Sequence, residues 1–377
     1  MQITPETTFL LGLLLFWIII YAFSKLLKAD KHGFKIFPFF LTYRSEKFKN
    51  IIGKISGKNK LLWKTLSNVG IALALGLMIY VAYFLFSNLI KFFYPVVESV
   101  PVIPIVPAIT LRLDSLPYFF IAVAIVVVLH ELAHGISAVV EKVVVKSAGL
   151  AVMLAFLGGF VEPEEKSFEK ASKTSKLRIL GAGSTVNLAT GLLVILLLTS
   201  LFAPSAGVLV DGTVANGPLA RAGVQQFDVI SAINNHTINT LQNLTDYLAN
   251  VTPGANLTLR INDHAVPVTT ENVSGRAVIG LSDGLDYHPS RLGFDRITTA
   301  NAYLILYWTF LAAFSVAVFN MLPAFPFDGE KFLYCWFADY VGEEKRLPLR
   351  VLINVVFLGL LLSNVVLSFW FFGLPSI

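Results

Sequence analysis

The sequence has little charge and almost no cysteine. Charged residues make up 14% of the 377 positions, hydrophobic residues make up 55%, and the mean hydropathy is +0.71. A soluble chain of this length would be more polar, so the composition predicts a polytopic α-helical membrane protein. Cys335 is the only cysteine, which excludes an intramolecular disulfide and a cysteine-rich zinc site. The net charge of +5 is modest and unevenly spread, so no nucleic-acid partner is expected.

Six apolar runs are long enough to cross a lipid bilayer. They lie at about 8–27, 68–93, 117–140, 179–202, 299–321 and 350–372. The first run has neither a preceding basic region nor a small-residue cleavage site, so no signal peptide is predicted.

Lysine and arginine concentrate in alternate connections between these runs. Ten of them lie in the segment 28–64, against two acidic residues. Because cytoplasmic loops carry the excess of basic residues, this segment is predicted to be cytoplasmic. The connections after the third and fifth spans then lie on the same side. Both termini and the segment 203–298 are predicted to be outside the cell membrane.

The segment 203–298 differs in kind from the spans. It is polar, rich in asparagine and threonine, and shows short alternating patterns typical of strands. Five Asn-X-Ser/Thr sequons begin at Asn235, Asn243, Asn250, Asn256 and Asn272. They agree with an extracytoplasmic domain. An Asn/Thr-rich segment also produces such sequons by chance, so glycosylation stays open.

The third span contains an H-E-x-x-H pattern at 130–134. His130 and His134 are four residues apart and therefore share one face of a helix. Glu131 can reach a water held by a metal between them. Ionisable side chains within an apolar span are costly and mark functional sites. We therefore expect a metal site here rather than a structural histidine pair.

A catalytic zinc site needs a third protein ligand, and the end of the fifth span offers Asp328. Pro323 and Pro326 break the helix before it. The third and fifth spans end on the same side of the membrane, which brings Asp328 towards the histidines. The alternative is that Asp328 caps a helix that follows it.

Two further stretches bear on this site. Gly183 and Asn187 lie near the start of the fourth span; the glycine permits close helix packing, and the asparagine needs a polar partner. The stretch 143–166 is rich in valine and glycine and too short to span. It predicts a membrane-associated β-hairpin, with an ordinary loop packed on the helices as the alternative.

Together these motifs resemble those of the site-2 proteases, which are intramembrane zinc metalloproteases. The resemblance rests on H-E-x-x-H at 130–134, G-x-x-x-N at 183–187 and N-x-x-P-x-x-x-x-D-G at 320–329, and covers about 117–341. Bacterial members often have a second glycine after the D-G pair, where this chain has Glu330.

The resemblance implies one zinc ion per chain, with the ligands His130, His134 and Asp328. It implies Glu131 as the general base for the attacking water and then the proton donor to the leaving amine. Asn320 would contact the substrate backbone, and Asn187 would line the site. The hairpin residues implied to bind an unwound substrate are Gly158, Gly159 and Phe160.

The segment 206–282 is similar to the PDZ domains inserted in this family. Its peptide groove would be formed by Gly207, Val208, Leu209 and Val210. The predicted organisation is 1–116 (two spans and the basic loop), 117–202 (first part of the catalytic core), 203–298 (small α+β PDZ-like domain and linker) and 299–377 (second part of the core and the last span). The histidines within 203–298 are expected to be surface residues.

The expected partners are the lipid bilayer and a single-pass membrane protein substrate that another protease has already trimmed. The active site is expected in the cytoplasmic half of the membrane. Two other functions stay open: an inactive relative that binds membrane segments without cutting them, and a transporter with ionisable residues along an ion path.

Overall fold

The computed structural model of the protein describes residues 5–26, 29–94, 98–154 and 156–373. The chain divides into two compact units. Residues 1–193 and 308–377 form the first unit, and residues 194–307 form the second. The second unit is longer than the predicted 203–298 because it includes the adjoining ends of two long helices.

Eleven α-helices occur in the described residues. They are α1 Pro5–Leu26, α2 Glu46–Lys58, α3 Lys60–Phe93, α4 Leu116–Val140, α5 Glu165–Lys170, α6 Lys173–Leu201, α7 Pro218–Arg221, α8 Leu241–Ala249, α9 Arg296–Phe319, α10 Asp328–Phe337 and α11 Glu343–Phe372. Six of them, α1, α3, α4, α6, α9 and α11, are long and apolar enough to cross a membrane. The prediction of a multi-pass membrane protein is confirmed.

Three of these helices begin at least six residues before the apolar runs that predicted them. Helix α3 begins at Lys60 rather than near 68, α6 at Lys173 rather than near 179, and α11 at Glu343 rather than near 350. The additional turns contain lysine, glutamate and arginine, which favour helices but lower the hydropathy. An apolar run in the sequence therefore predicts only the apolar part of a helix and not its polar first turns.

A four-stranded antiparallel sheet belongs to the first unit. Its strands are β1 Phe34–Phe37, β2 Phe40–Arg44, β3 Val145–Met153 and β4 Phe156–Pro163, in that spatial order. Strands β3 and β4 form the predicted hairpin. The prediction missed β1 and β2, because the basic loop that contains them pairs with a partner more than 100 residues away: Arg44 lies opposite Gly149.

Strand β4 runs beside α4 over a long stretch. The Val161 N–H donates to the Glu131 carboxylate at 2.7 Å, and the ring centroids of Phe156 and Phe119 are 6.4 Å apart. Five strand residues cover about 17 Å and twelve helical residues about 18 Å, so strand and helix remain side by side between these contacts.

The tip of this hairpin reaches the middle of α1. The indole N–H of Trp17, which is 3% exposed, donates to the Leu154 carbonyl at 2.9 Å. Trp17 is twelve residues from the start of α1, so the tip lies level with the centre of an apolar helix. This contact supports the expected membrane association of the hairpin.

The second unit contains a sheet in the order β12-β5-β6-β8-β9, with β7 paired to β6. The strands are β5 Val208–Thr213, β6 Val229–Ile233, β7 His236–Thr237, β8 Asn256–Ile261, β9 His264–Thr269 and β12 Leu281–Asp286, with β10 Glu271–Val273 and β11 Arg276–Val278 forming a separate hairpin. Its core is aliphatic and includes Val208, Ile230 and Leu259, each 0% exposed. Helix α8 packs beside β12, and the Leu241 N–H donates to the Asp286 carboxylate at 2.7 Å.

The predicted peptide groove at Gly207–Val210 is wrong. Strand β5 is internal, with β12 on one side and β6 on the other. The backbone of Gly207 is bonded to Asn239 and Tyr287, and that of Val210 is bonded to Asp228 and Phe227. A peptide therefore cannot add as a strand at these residues.

Candidate metal centre

Three potential metal ligands converge in the first unit. His130 and His134 project from one face of α4, and their Nε2 atoms are 3.0 Å apart. Oδ2 of Asp328 lies 2.9 Å from Nε2 of His134 and 3.3 Å from Nε2 of His130. His134 is six residues before the end of α4, which is about 9 Å along the helix. The cluster is thus at a shallow depth in an apolar segment.

The spacing of these atoms suits a tetrahedral metal. Ligand atoms bound at about 2.0–2.1 Å in a tetrahedron lie about 3.3 Å apart. The observed separations of 2.9–3.3 Å therefore resemble one face of such a site. Two imidazoles and one carboxylate also form a donor set that zinc accepts at catalytic sites with an open fourth position.

The turn before α10 delivers Asp328. Helix α9 ends at Phe319, and the chain returns so that the Gly329 N–H donates to the Asn320 carbonyl at 2.9 Å. Only glycine fits at 329, because a Cβ there would lie 2.5 Å from the carbonyl oxygen of Leu322. Asp328 makes no side-chain cap to α10. Its carboxylate therefore points at the histidines rather than serving as the helix cap considered above.

His134 is held in the orientation that a metal requires. Its Nδ1 lies 2.7 Å from the carbonyl oxygen of Ile179 on α6. A carbonyl only accepts hydrogen bonds, so Nδ1 is the donor here; in the neutral imidazole this leaves the lone pair on Nε2, the nitrogen nearest Asp328. Backbone carbonyls often orient metal-bound histidines in this way.

Asn187 orients the other imidazole. Its Nδ2 lies 2.9 Å from Nδ1 of His130, and its buried Oδ1 has no hydrogen-bond partner among the described residues. Amide nitrogen and oxygen exchange places by a half-turn of the side chain. After that turn, Oδ1 accepts a hydrogen bond from the Nδ1–H of His130, which leaves the Nε2 lone pair of His130 for a metal. The prediction that Asn187 lines the site agrees with this position.

Gly183 makes room for the two imidazoles. A Cβ at this position would overlap His134 and would lie 2.5 Å from Nε2 of His130. Helix α6 can therefore approach α4 this closely only with glycine at 183. The sequence alone indicated helix packing here, whereas the structure adds that the packed surface is the metal centre itself.

Glu131 joins the centre to the hairpin. Its Oε2 accepts the Val161 N–H, and a Cβ at Gly159 would lie 3.0 Å from its Cγ. Because alternate residues of an antiparallel strand point their N–H groups away from the paired strand, Gly159 shares the free edge of β4 with Val161. All four residues lie opposite β3 residues, but by the same alternation Gly158 and Phe160 point their N–H and C=O groups towards that strand.

Asn320 lies on the metal ligands. Its Nδ2 is 2.6 Å from Oδ2 of Asp328 and 3.1 Å from Nε2 of His130. The side chain thus orients Asp328, a role that the sequence analysis did not foresee. The residue is half-buried, so part of it remains accessible.

Sequence reasoning missed the support that α11 gives to the Asp328 loop. Glu330 is 5% exposed and forms a two-point ion pair with Arg350, in which Nη2 lies 2.9 Å from Oε2. Asn354, one turn further along α11, accepts the Phe325 N–H at 2.6 Å. Glu330 thus has a structural partner where the family often has glycine. A single glutamate in the sequence gives no signal for a partner 20 residues away.

Comparison with known families agrees with this geometry. The profile described as Peptidase family M50 matches residues 118–364, about two thirds of the chain. The chain belongs to peptidase family M50. The M50 peptidases are zinc metalloproteases, and the site-2 proteases belong to them. All the ligands described above fall within the matched residues.

A relative from Methanocaldococcus jannaschii is 26% identical over 356 residues. The alignment covers 92% of this chain and 89% of that protein, which is described as uncharacterized. The similarity thus extends over most of both chains and beyond the residues that the family profile matches.

Proposed function

We propose that this M50 protein is a zinc-dependent intramembrane endopeptidase that hydrolyses peptide bonds in transmembrane segments. The observation that carries the proposal is the convergence of His130, His134 and Asp328 within 3.3 Å beside an apolar helix. Buried ionisable groups of this kind are too costly to persist in a membrane without a function.

The chain supplies the proton transfers and the orientation of the reacting groups. Zinc, when bound by His130, His134 and Asp328, would polarise the scissile carbonyl and make water acidic enough to ionise near neutral pH. Glu131 would accept a proton from the attacking water and pass it to the leaving amine nitrogen. Asn320 and Asn187 would hold Asp328 and His130 in place while this occurs.

The edge of β4 offers a place for an unwound substrate. A peptide bond in a helix is shielded, so cleavage requires local extension. No further strand covers β4 in the part of the chain that the structure describes. An extended substrate could pair with the N–H and C=O groups of Leu157 and Gly159 and with the C=O of Val161, whose N–H already donates to Glu131. Gly158 and Phe160 would then set the shape of the strand rather than bind directly.

The second unit would screen substrates. If it acts as a PDZ-like module, its open edge is β12 beside α8 rather than β5, because β12 is the last strand on its side of the sheet. We infer that this edge takes the trimmed end of a single-pass membrane protein or excludes substrates with intact outer domains. The excess of basic residues in alternate connections supports an orientation with the metal centre in the cytoplasmic half of the cell membrane and the second unit and both termini outside.

Cleavage of a model substrate tests the proposal. The purified protein in detergent is given a fusion protein whose single transmembrane helix contains glycine and asparagine, and the products are located by mass spectrometry. The zinc content is measured on the same sample. We expect cleavage within the membrane segment and about one zinc per chain. The Glu131→Gln variant should keep the zinc and lose cleavage by more than about 1000-fold, because it removes the general base.

The alternatives give different results. Zinc without cleavage by the wild type would indicate an inactive, segment-binding relative, and absence of both would reject the peptidase. Glu344→Gln changes an exposed carboxylate of α11 in the same way and should leave both readouts unchanged.

A further inference from the structure

A basic cleft lies where α4 ends. It has a volume of about 720 Å³ and is formed by α2, the last turn of α4 and the start of β3. Its lining residues are Lys49, Asn50, Gly53, Lys54, Val139, Lys142, Val143, Val144 and Val145. The metal centre and its ligands are not part of it.

The cleft carries positive charge without a counter-charge. Three of its lining residues are lysines and none is acidic. Within the described residues, Lys49, Lys54 and Lys142 form no ion pair, whereas Lys146 next to them is bound to Glu162 at 2.9 Å. Uncompensated cations around one depression attract an anionic group.

Lys142 occupies a position that usually belongs to glycine. Its backbone has φ +64°, and the N–H groups of Lys142 and Val143 bond to the carbonyls of Val139 and Ala138. This pattern is the helix-ending motif in which glycine or asparagine is favoured. A lysine there costs about 1 kcal/mol of backbone strain. Despite this cost, the turn carries a lysine, and that lysine lines the cleft.

The floor of the cleft is apolar and lies at the membrane boundary. The apolar helix α4 ends at Val140, and the valines at 139 and 143–145 follow directly. Val144 is 53% exposed. A cationic rim above an exposed apolar floor at this depth suits a phospholipid, whose phosphate is charged and whose glycerol and acyl carbons are not.

Helix α2 connects the cleft to the metal centre. Its Ile52 is 0% exposed and packs on Gly135, where a Cβ would lie only 2.7 Å from Cδ1 of Ile52. Gly135 directly follows the ligand His134. An occupant that bridges Lys49 and Lys54 of α2 to Lys142, two residues after the end of α4, would therefore press α2 onto the turn that carries His134.

From these observations we propose that the cleft binds the phosphate of an anionic phospholipid headgroup and thereby holds α2 against α4. The proposal does not depend on peptidase activity. It rests on charge, shape and depth at the end of α4, and it holds for either orientation of the chain in the membrane.

Native mass spectrometry in detergent tests the binding. Dioleoylphosphatidylglycerol and dioleoylphosphatidylcholine are titrated into the wild type, a cleft variant with Lys49→Gln, Lys54→Gln and Lys142→Gln, and a control variant with Lys47→Gln, Lys58→Gln and Lys64→Gln. Both variants lose three charges, but the control residues do not line the cleft. We expect the cleft variant to bind phosphatidylglycerol about 100-fold more weakly than the wild type, because each lysine contributes about 5-fold to the affinity. The affinity of the control variant should stay within about 3-fold of that of the wild type.

Equal losses in both variants would overturn the proposal, because they would indicate general surface charge. Competition by inorganic phosphate at low millimolar concentration would overturn the lipid assignment in favour of a free phosphate. Thermal unfolding of each variant in the same detergent shows whether it is folded. If a triple variant is not folded, variants with a single lysine changed are titrated in its place.

Hydrogen exchange tests the second half of the proposal. In vesicles with phosphatidylglycerol, amide exchange in 46–58 of the wild type should be at least about 10-fold slower than in phosphatidylcholine vesicles. The cleft variant should lose this difference, and the control variant should keep it. Slowing in the cleft variant equal to that in the wild type would show that the lipid does not act through these lysines.

Discussion

Two buried polar clusters lie between the long apolar helices, and they differ in how completely they are hydrogen-bonded. The first is the metal centre around His130. The second, the asparagine cluster, consists of Asn88 on α3 with Asn364 and Ser368 on α11. Asn88 Nδ2 donates to Asn364 Oδ1 at 2.9 Å, and Asn364 Nδ2 donates to the Leu85 carbonyl at 2.9 Å.

The asparagine cluster also binds the backbone of the 98–107 connection. Asn88 Oδ1 accepts the Val100 N–H, and Ser368 Oγ accepts the Val102 N–H, both at 2.8 Å. Every side-chain donor and acceptor of the cluster is thus used. Polar groups in an apolar environment are stable only when they are hydrogen-bonded. This cluster therefore stabilises the packing of α3, α11 and the 98–107 connection.

The metal centre shows the opposite pattern. The side-chain oxygen of Asn187 is buried without a partner among the described residues, and three ligand atoms lie within 3.3 Å of one another. Such an arrangement would be completed by a bound cation. The hydrogen bonds of the two clusters therefore distinguish a candidate metal site from a structural one.

The largest effect should come from filling the metal centre. Gly183→Ala places a methyl group against both imidazoles and should lower zinc affinity by more than the 10- to 100-fold that loss of a supporting hydrogen bond costs. Competition with a chelator measures this affinity. Gly191→Ala on the same helix is the control, because its Cβ would meet neighbours only at 3.8–3.9 Å. Equal zinc affinity in the two variants would show that Gly183 does not border the site.

The next effect concerns Asn187. Removing its amide in Asn187→Ala leaves Nδ1 of His130 without its only described polar neighbour and should weaken zinc binding about 10- to 100-fold. Thermal unfolding of the zinc-free protein should change little, since only one of the two amide atoms of Asn187 is hydrogen-bonded there. A large loss of stability without a loss of zinc affinity would show that Asn187, like the asparagine cluster, has a structural role rather than a role in metal binding.

Much of the fold and the site followed from local patterns. Apolar runs located the six long helices, and the spacing of His130, His134 and Asp328 in their motifs predicted the metal ligands, which the structure brings together. Long-range pairing did not follow. Nothing in residues 40–44 shows that they pair with β3, and nothing in Gly207–Val210 shows that strands cover both sides of β5.

Polar residues in the spans were the hardest to interpret. Asn187 was singled out because it follows a glycine at a motif spacing, whereas Asn88 and Asn364 have no such neighbour. Their pairing joins positions 276 residues apart. The Glu330–Arg350 pair was missed for the same reason, because a charge near the end of a span is equally compatible with solvent and with a buried partner.

Breaking that ion pair should have an intermediate effect. Arg350→Gln leaves the Glu330 carboxylate buried without its partner, which should destabilise the protein by about 3 kcal/mol, the lower end of the usual range because Arg350 is 41% exposed. Zinc should also dissociate faster, because Glu330 is two residues from Asp328. The double variant Glu330→Gln, Arg350→Gln should recover most of the stability. Arg346→Gln is the control, since its partner Glu343 is 89% exposed and the pair contributes less than about 1 kcal/mol.

The smallest effect should come from the asparagine cluster. Asn364→Ala removes the bonds to Asn88 and to the Leu85 carbonyl, and hydrogen bonds inside membranes contribute about 0.6 kcal/mol each on average. We expect a loss of about 1–2 kcal/mol in the free energy of unfolding, measured in detergent. Zinc affinity and cleavage should equal those of the wild type, because the cluster stabilises only the packing of α3 against α11. If Asn364→Ala released zinc while Asn187→Ala did not, the roles assigned to the two clusters would be reversed.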